Sequence, residues 1–192
     1  MKREHIYEIF SRSLTFETDR LIIRPMQMFD AFDMYSYARL PETSKFLTWS
    51  PHSDIEYTKN YLAFIIAKYR AGEFYDFAVT LKGEEGKMIG TCGFSRIDFS
   101  NNIGEIGYVI APEYQGNGYA TEAAKEIIKF GFDRLEFNRI EARYMVGNNA
   151  SRTVMEKCGL KFEGVARNAM LVKGVYRDIG VCSVLKSEYC AD

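Results

Sequence analysis

Apolar residues recur along this chain with two periods, about 3.6 in some stretches and two in others, and the switches between them predict its elements. Ile6, Ile9 and Phe10 stand at helical spacing within residues 1–13 and predict a short N-terminal helix. Phe16 and Leu21-Ile22-Ile23 predict a strand from Leu14 to Arg24, stopped by Pro25. Asp30 is expected to cap a helix carrying Phe32, Tyr35 and Ala38, which Leu40-Pro41 breaks. Ser44 to Ser53 is irregular and aromatic, centred on Phe46-Leu47-Thr48-Trp49-Ser50-Pro51. Asp54 then caps a helix with Tyr57, Tyr61, Leu62, Ile65 and Tyr69 at helical spacing, ending near Gly72. From Tyr75 to Leu81 the period is two. A turn at Gly83-Glu84-Glu85-Gly86 leads into a second strand, Met88 to Ile97, and Asn101-Asn102 turns the chain into a third at Glu105. Three neighbouring antiparallel strands are expected there.

Glu105-Ile106-Gly107-Tyr108-Val109-Ile110 runs through Ala111-Pro112-Glu113-Tyr114 into Gln115-Gly116-Asn117-Gly118-Tyr119-Ala120-Thr121. Beyond that turn, Ala120, Ala123, Ala124, Ile127, Ile128 and Gly131 form one apolar helical face. Arg139 to Val146 alternates again, so a crossover to a parallel neighbour is expected. Asn148-Asn149-Ala150-Ser151 opens a second helix, with Ala150, Val154 and Cys158 on one face and Gly159 closing it. Lys161 to Ala169 and Arg177 to Leu185 complete the chain as strands joined through Lys173-Gly174.

Composition adds limits. The 192 residues fit a single domain, 1–192, with 1–13 as an extension. They are 47% hydrophobic, 15% aromatic and 27% charged, with a net charge of −1 and no basic block, which does not indicate nucleic acid. Cys92, Cys158, Cys182 and Cys190 lack metal-ligand spacing and read as reduced thiols; Cys158 is expected in the core. No apolar run approaches the ~20 residues of a membrane span, and Met1-Lys2-Arg3-Glu4-His5 leads into no signal-peptide core, so a cytoplasmic location is expected.

The candidate chemistry lies in the glycine turn. The first N–H groups of a helix lack internal partners and carry partial positive charge, so Gly116 and Gly118 just before one predict an anion seat. A mononucleotide P-loop would need Lys-Ser/Thr where Tyr119-Ala120 stands. A dinucleotide turn would follow its strand directly, whereas Pro112 to Gln115 intervene here.

Gln115-Gly116-Asn117-Gly118-Tyr119-Ala120 resembles the Gln/Arg-x-x-Gly-x-Gly/Ala turn of the GNAT superfamily of acyl-CoA N-acyltransferases. Thr18-Asp19-Arg20-Leu21-Ile22-Ile23-Arg24-Pro25, Glu105-Ile106-Gly107-Tyr108, Thr121-Glu122-Ala123, Asn148-Asn149-Ala150-Ser151 and Lys157-Cys158-Gly159-Leu160-Lys161-Phe162-Glu163-Gly164 resemble its ribosomal-protein N-terminal acetyltransferase-like (RimJ/RimL-like) branch. The resemblance covers nearly the whole chain. It implies an α/β (α+β) fold with a mixed, mostly antiparallel seven-stranded sheet flanked by helices and splayed between its fourth and fifth strands.

The resemblance also implies acetyl-CoA as co-substrate, no metal, and acetyl transfer to a protein N-terminal amine or a small-molecule amine. Val109 and Ile110 would offer backbone groups to pantetheine, Gln115, Gly116, Asn117, Gly118, Tyr119, Ala120 and Thr121 would hold the pyrophosphate, and Asn148 would bond the pantetheine arm. Arg152 would reach the charged end of coenzyme A, unless it is a solvated helix arginine. Glu105 would be the general base, or a surface glutamate at a strand end. Met155 stands where the superfamily's acid tyrosine is usual; Ser151 is the substitute, or else part of the helix cap. Trp49, Tyr75, Phe77 and Tyr176 would line the acceptor side. The alternative to an enzyme is an acyl-CoA-binding module without transfer activity. A homodimer is expected by analogy.

Overall fold

The computed structural model describes residues 3–12, 14–84 and 86–189, so Cys190 and the opening Met1-Lys2 lie outside the described residues. One sheet organises the chain, in the order β1-β2-β3-β4-β5-β6-β8-β7. Its strands are β1 (Phe16–Glu17), β2 (Leu21–Arg24), β3 (Asp76–Leu81), β4 (Met88–Asp98), β5 (Ile103–Ile110), β6 (Arg139–Met145), β7 (Lys161–Val172) and β8 (Val175–Leu185). All pairings are antiparallel except β5 with β6.

Among the described residues the sheet has eight strands rather than the expected seven because the Leu14–Arg24 stretch divides. The Thr18 hydroxyl accepts the Leu21 N–H at 3.0 Å while the Thr18 N–H bonds the Leu21 carbonyl, also at 3.0 Å, so the chain reverses there.

Helices cover both faces. Helix α1 (Arg3–Ser11) and helix α5 (Tyr119–Asp133) pack one face, burying Phe10, Ala124 and Ile127 with Phe77 and Val79 of β3. Helix α2 (Ala31–Ala38) and helix α4 (Ile55–Arg70) pack the other, burying Met34, Leu62 and Ile65 with Ala78. A short helix α3 (Pro41–Ser44) follows the expected break, with Pro41 in its first turn. Helix α6 (Asn149–Lys157) follows β6, and helix α7 (Lys186–Tyr189) ends the described chain. Among the described residues no helix is long and apolar enough to cross a membrane.

Local signals decide several ends. Asp54 caps α4, its Oδ1 accepting the Tyr57 N–H at 2.8 Å. Lys173 and Gly174 both have positive φ, 50° and 79°, the conformation a two-residue hairpin needs. That turn lets β7 and β8 run on to Val172 and from Val175, past the expected limits at Ala169 and Arg177.

Two helix faces differ from expectation. In α2 the buried positions are Ala31, Met34, Tyr37 and Ala38, while Phe32 is 72% exposed. Asp30 makes no side-chain cap, because its buried carboxylate is taken by the Arg24 guanidinium at 2.7 and 2.8 Å and by the Gln27 N–H at 2.7 Å. In α6 the one residue sunk in the core is Met155; Ala150 and Val154 front a cleft instead.

The feature that positions the site is the parting of β5 from β6. The two pair only over Ile103 to Glu105 with Arg139 to Glu141. Beyond that point β6 pairs with β8 alone, and the β6-facing edge of β5 from Ile106 to Ile110 has no strand partner.

Candidate active site

The gap opens into a cleft of about 820 Å³ running from the glycine turn to the aromatic segment before α4. The turn supplies Gln115, Gly116, Gly118, Tyr119, Ala120 and Thr121 to its lining. Glu105, Val109 and Ile110 come from β5, Asn148 and Ser151 from α6, and Trp49 from the aromatic segment.

The turn is built by local constraints. A 3-10 turn at Pro112–Tyr114 leaves β5, and Gln115 Nε2 donates to the Ile110 carbonyl at 2.9 Å, tying the turn to the strand end. Gly116 and Gly118 have φ of 80° and 82°, which a Cβ would strain although nothing lies within 4 Å of it at Gly116. Gly118 is the N-cap of α5, so the amides of Tyr119, Ala120 and Thr121 have no partner inside the helix. Asn117 turns its side chain back onto the Tyr114 and Gln115 carbonyls, 3.2 Å from each, and does not line the cleft.

Arg20 braces this turn from β2's approach. Its Nη1 donates to the Asn117 carbonyl at 3.0 Å, its guanidinium lies 4.6 Å from the Tyr119 ring centroid, and its Nη2 pairs with Glu122 at 2.6 Å. Glu122 also accepts from the Thr18 hydroxyl at 2.6 Å and the Arg20 N–H at 2.9 Å. Burial alone would raise the Glu122 carboxyl, but the Thr18 hydroxyl and Arg20 hold it below the ordinary glutamate value.

At the start of α6, Asn148 Oδ1 accepts the Ser151 N–H at 3.2 Å, so Asn148 is the helix cap. The Ser151 hydroxyl lies 3.1 Å from the hydroxyl of Tyr108, a cleft residue that sequence reasoning had not singled out. Tyr108 also donates to the Ser151 carbonyl at 2.8 Å, bridging the gap from β5 to α6. Burial pushes the Tyr108 phenol well above its ordinary value, so it stays protonated at neutral pH.

Glu105 sits where the strands part. Its Oε1 lies 3.3 Å from the Ser95 hydroxyl, and its Oε2 lies 3.4 Å from Arg143 Nε and 3.7 Å from Arg96 Nε. A Cβ on Gly107 would meet only Ser95, at 3.7 Å or more, so the space beside Glu105 is open.

Besides Asn117, four expected site residues lie away from the cleft. Phe77 is 1% exposed and packs on Phe10 and Phe16 beneath the opposite face of the sheet, and Tyr75 sits edge-on to Phe10 on that same side. The cause is strand parity: Asp76, between them, is the residue that faces the cleft. Tyr176 is 63% exposed near the β7–β8 turn and does not line the cleft. Arg152 pairs with Glu156 at 2.8 Å and lies over the Phe162 ring, which holds it away from the cleft.

Asp76 is a cleft residue outside the set expected from the sequence. Its Oδ1 accepts the Phe77 N–H at 3.0 Å, and burial pushes its carboxyl up to about 7 against the pull of that N–H and the Thr91 hydroxyl. His52, Tyr57 and Tyr61 join Trp49 in an aromatic wall at this end of the cleft. His52 Nδ1 lies 2.8 Å from the Thr58 hydroxyl, and burial lowers its pKa, so the ring is neutral at neutral pH. Cys158 is half-buried, and burial pushes its thiol up to about 11, leaving too little thiolate for a nucleophile.

Comparison with known proteins adds a family. Residues 20–161 match the acetyltransferase (GNAT) domain. The chain is 34% identical over 175 residues to the uncharacterized N-acetyltransferase p20 of Bacillus licheniformis, covering 91% of this chain and 98% of that one. It is 29% identical over 168 residues to the [ribosomal protein uS5]-alanine N-acetyltransferase of Escherichia coli, covering 84% and 85%. Among solved structures, a GNAT-family acetyltransferase from Bacillus anthracis superposes with a TM-score of 0.81 at 28% identity, over 91% of this chain and 100% of that one.

Proposed function

The chain belongs to the GNAT acetyltransferase family, and from that membership we propose that it moves the acetyl group of acetyl-CoA directly onto a primary amine held in the same cleft. Membership makes the protein an N-acetyltransferase, so the reading as a module that only binds acyl-CoA is set aside. The observation that carries the finer proposal is the open edge of β5, Ile106 to Ile110, running into the glycine turn and the N-terminus of α5.

The residues present fit coenzyme A. An amide-bearing arm can add to the free edge of β5 as a strand would, and a pyrophosphate beyond it would meet the amides from Gly116 to Thr121. The positive φ of Gly116 and Gly118 keeps those amides uncovered, and Arg20 adds a cation beside Gly118. Asn148 spends its oxygen on the helix cap, which leaves its amide N–H groups for the arm. Acetyl-CoA supplies an activated acyl carbon and a thiolate leaving group.

The chain's own groups then divide the proton work. The amine must be neutral when it attacks, and Glu105, steadied by Arg96 and Arg143, takes its proton through one water molecule. Backbone N–H groups of Val109 or Ile110 polarise the thioester carbonyl. A C–N bond forms, the C–S bond breaks, the sulfur receives a proton from the hydroxyl pair of Tyr108 and Ser151, and the proton that the acylated nitrogen sheds restores that pair. That pair provides the donor that Met155, buried in the core, cannot. The name of the Escherichia coli relative supports a protein N-terminal amine as acceptor; the aromatic wall around Trp49 supports a small amine.

The test is acetyl-CoA turnover across a panel of small amines and N-terminal peptides, read as free thiol and as acetylated product by mass spectrometry. Amine-dependent thiol release is expected. Tight coenzyme A binding with no release for any amine would overturn the proposal.

A further inference from the structure

Asp76, which faces the cleft, takes no part in that mechanism. Asp76 lies opposite Gly93, and Gly93 lies opposite Gly107, so across three strands a lane without side chains runs from Asp76 to the open edge of β5. Gly93 has to be glycine, since a Cβ there would overlap the Tyr75 carbonyl oxygen. Among the described residues no lysine, arginine or histidine forms an ion pair with Asp76. The ionisable groups around it are Tyr37 from α2, Tyr61 and Tyr69 from α4, and Cys92 from β4; phenols and thiols carry no positive charge, and burial raises all four and keeps them neutral. Burial raises Asp76 itself, which costs the fold stability for a charge that faces a cavity.

We propose that Asp76 is an anionic subsite that receives a second, non-reacting cationic group of the acceptor, so that acceptors are aliphatic diamines or chemically similar dications. The proposal rests on the acetyl-transfer reading for the identity of the reacting end. Spacing makes the bound cation a different group from the attacking nitrogen. Two strand separations of roughly 4.8 Å put the β3 backbone about 10 Å from that of β5, where the thioester would lie. A chain of several methylenes along the glycine lane spans what remains after the Asp76 side chain reaches inward. Tyr61, Trp49 and the neutral His52 form a wall suited to a cation and its methylenes.

The test compares 1,5-diaminopentane with pentylamine, the same chain with one cation fewer. Calorimetric titration into the coenzyme A-saturated protein at pH 8 is expected to show the diamine binding at least tenfold tighter. Asp76→Asn keeps the side-chain shape and is expected to cut that preference below threefold while coenzyme A affinity stays unchanged. Equal binding of the two probes by the wild type, or a preference retained in Asp76→Asn, would overturn the subsite. A diamine preference without thiol release would support the subsite and count against acetyl transfer. Pentylamine and 1,5-diaminopentane acetylated alike would overturn the subsite and leave acetyl transfer standing.

Discussion

The Tyr108 hydroxyl, projecting from β5, lies 3.1 Å from the Ser151 hydroxyl on α6 and joins the two sides of the parted sheet. Because Tyr108 also bonds the Ser151 carbonyl, it anchors the first turn of α6 as well as lining the cleft. Tyr108→Phe is expected to lower kcat by about 10–100-fold, within the range of general acid catalysis, and to leave acetyl-CoA affinity within about twofold. Ser151→Ala should cost less, since the phenol remains. Steady-state kinetics with a saturating amine checks both, and an unchanged kcat in Tyr108→Phe would remove it as the acid.

Glu105 is held from two sides by Arg96 and Arg143. Glu105→Gln keeps the shape and the Ser95 contact but removes the proton acceptor. A drop in kcat of about tenfold or more is expected, with the dissociation constant for acetyl-CoA unchanged. An unaltered kcat would show that the amine loses its proton elsewhere.

Gly118 has φ 82° at the N-terminus of α5, where the anion seat is proposed. Gly118→Glu adds backbone strain on the order of 1–2 kcal/mol and a like charge where pyrophosphate would sit. Binding of coenzyme A should fall at least 100-fold while the far-ultraviolet circular dichroism spectrum stays native. Unchanged affinity would refute the seat.

Glu122 clamps Thr18 and Arg20 behind the same turn. Its folded pKa is below the ordinary 4.5, so the clamp is fully made above the unfolded value and is lost as pH falls through the lowered one. Glu122→Gln is expected to raise the acetyl-CoA dissociation constant severalfold at pH 7, and titration calorimetry would show whether it does.

Asp76 has the opposite sign. Its folded carboxyl titrates at about 7 against an ordinary 3.8, so the native state holds its proton more tightly than the unfolded chain does. Its contribution to stability therefore falls as pH rises from 3.8 to about 7 and levels off above. At ~1.4 kcal/mol per unit, Asp76→Asn should recover a few kcal/mol at pH 8 and almost nothing near pH 4. Melting temperatures of the two proteins across this range would check it; a pH-independent difference would contradict the assignment.

The sequence by itself determined the elements whose causes are local. Positive φ at Gly116, Gly118 and Gly174, the Asp54 and Asn148 caps and the apolar stripe of α5 all depend on neighbours a few residues away. So the glycine turn at a helix start was legible from adjacent residues alone. Only the tertiary structure decided which face of β3 looks into the cleft. Both faces of that strand are covered by helices, so Phe77, Ala78, Val79 and Thr80 are all buried and no polar alternation remains to tell the sides apart. That is why Tyr75 and Phe77 stood out and Asp76 did not. The meeting of Tyr108 with Ser151, 43 residues apart, and the parting of β5 from β6 after Glu105 arise from how distant segments pack, and no local pattern encodes either. The glycine turn was written in a short run of the chain, whereas the aromatic end of the cleft was assembled from separate elements by the fold.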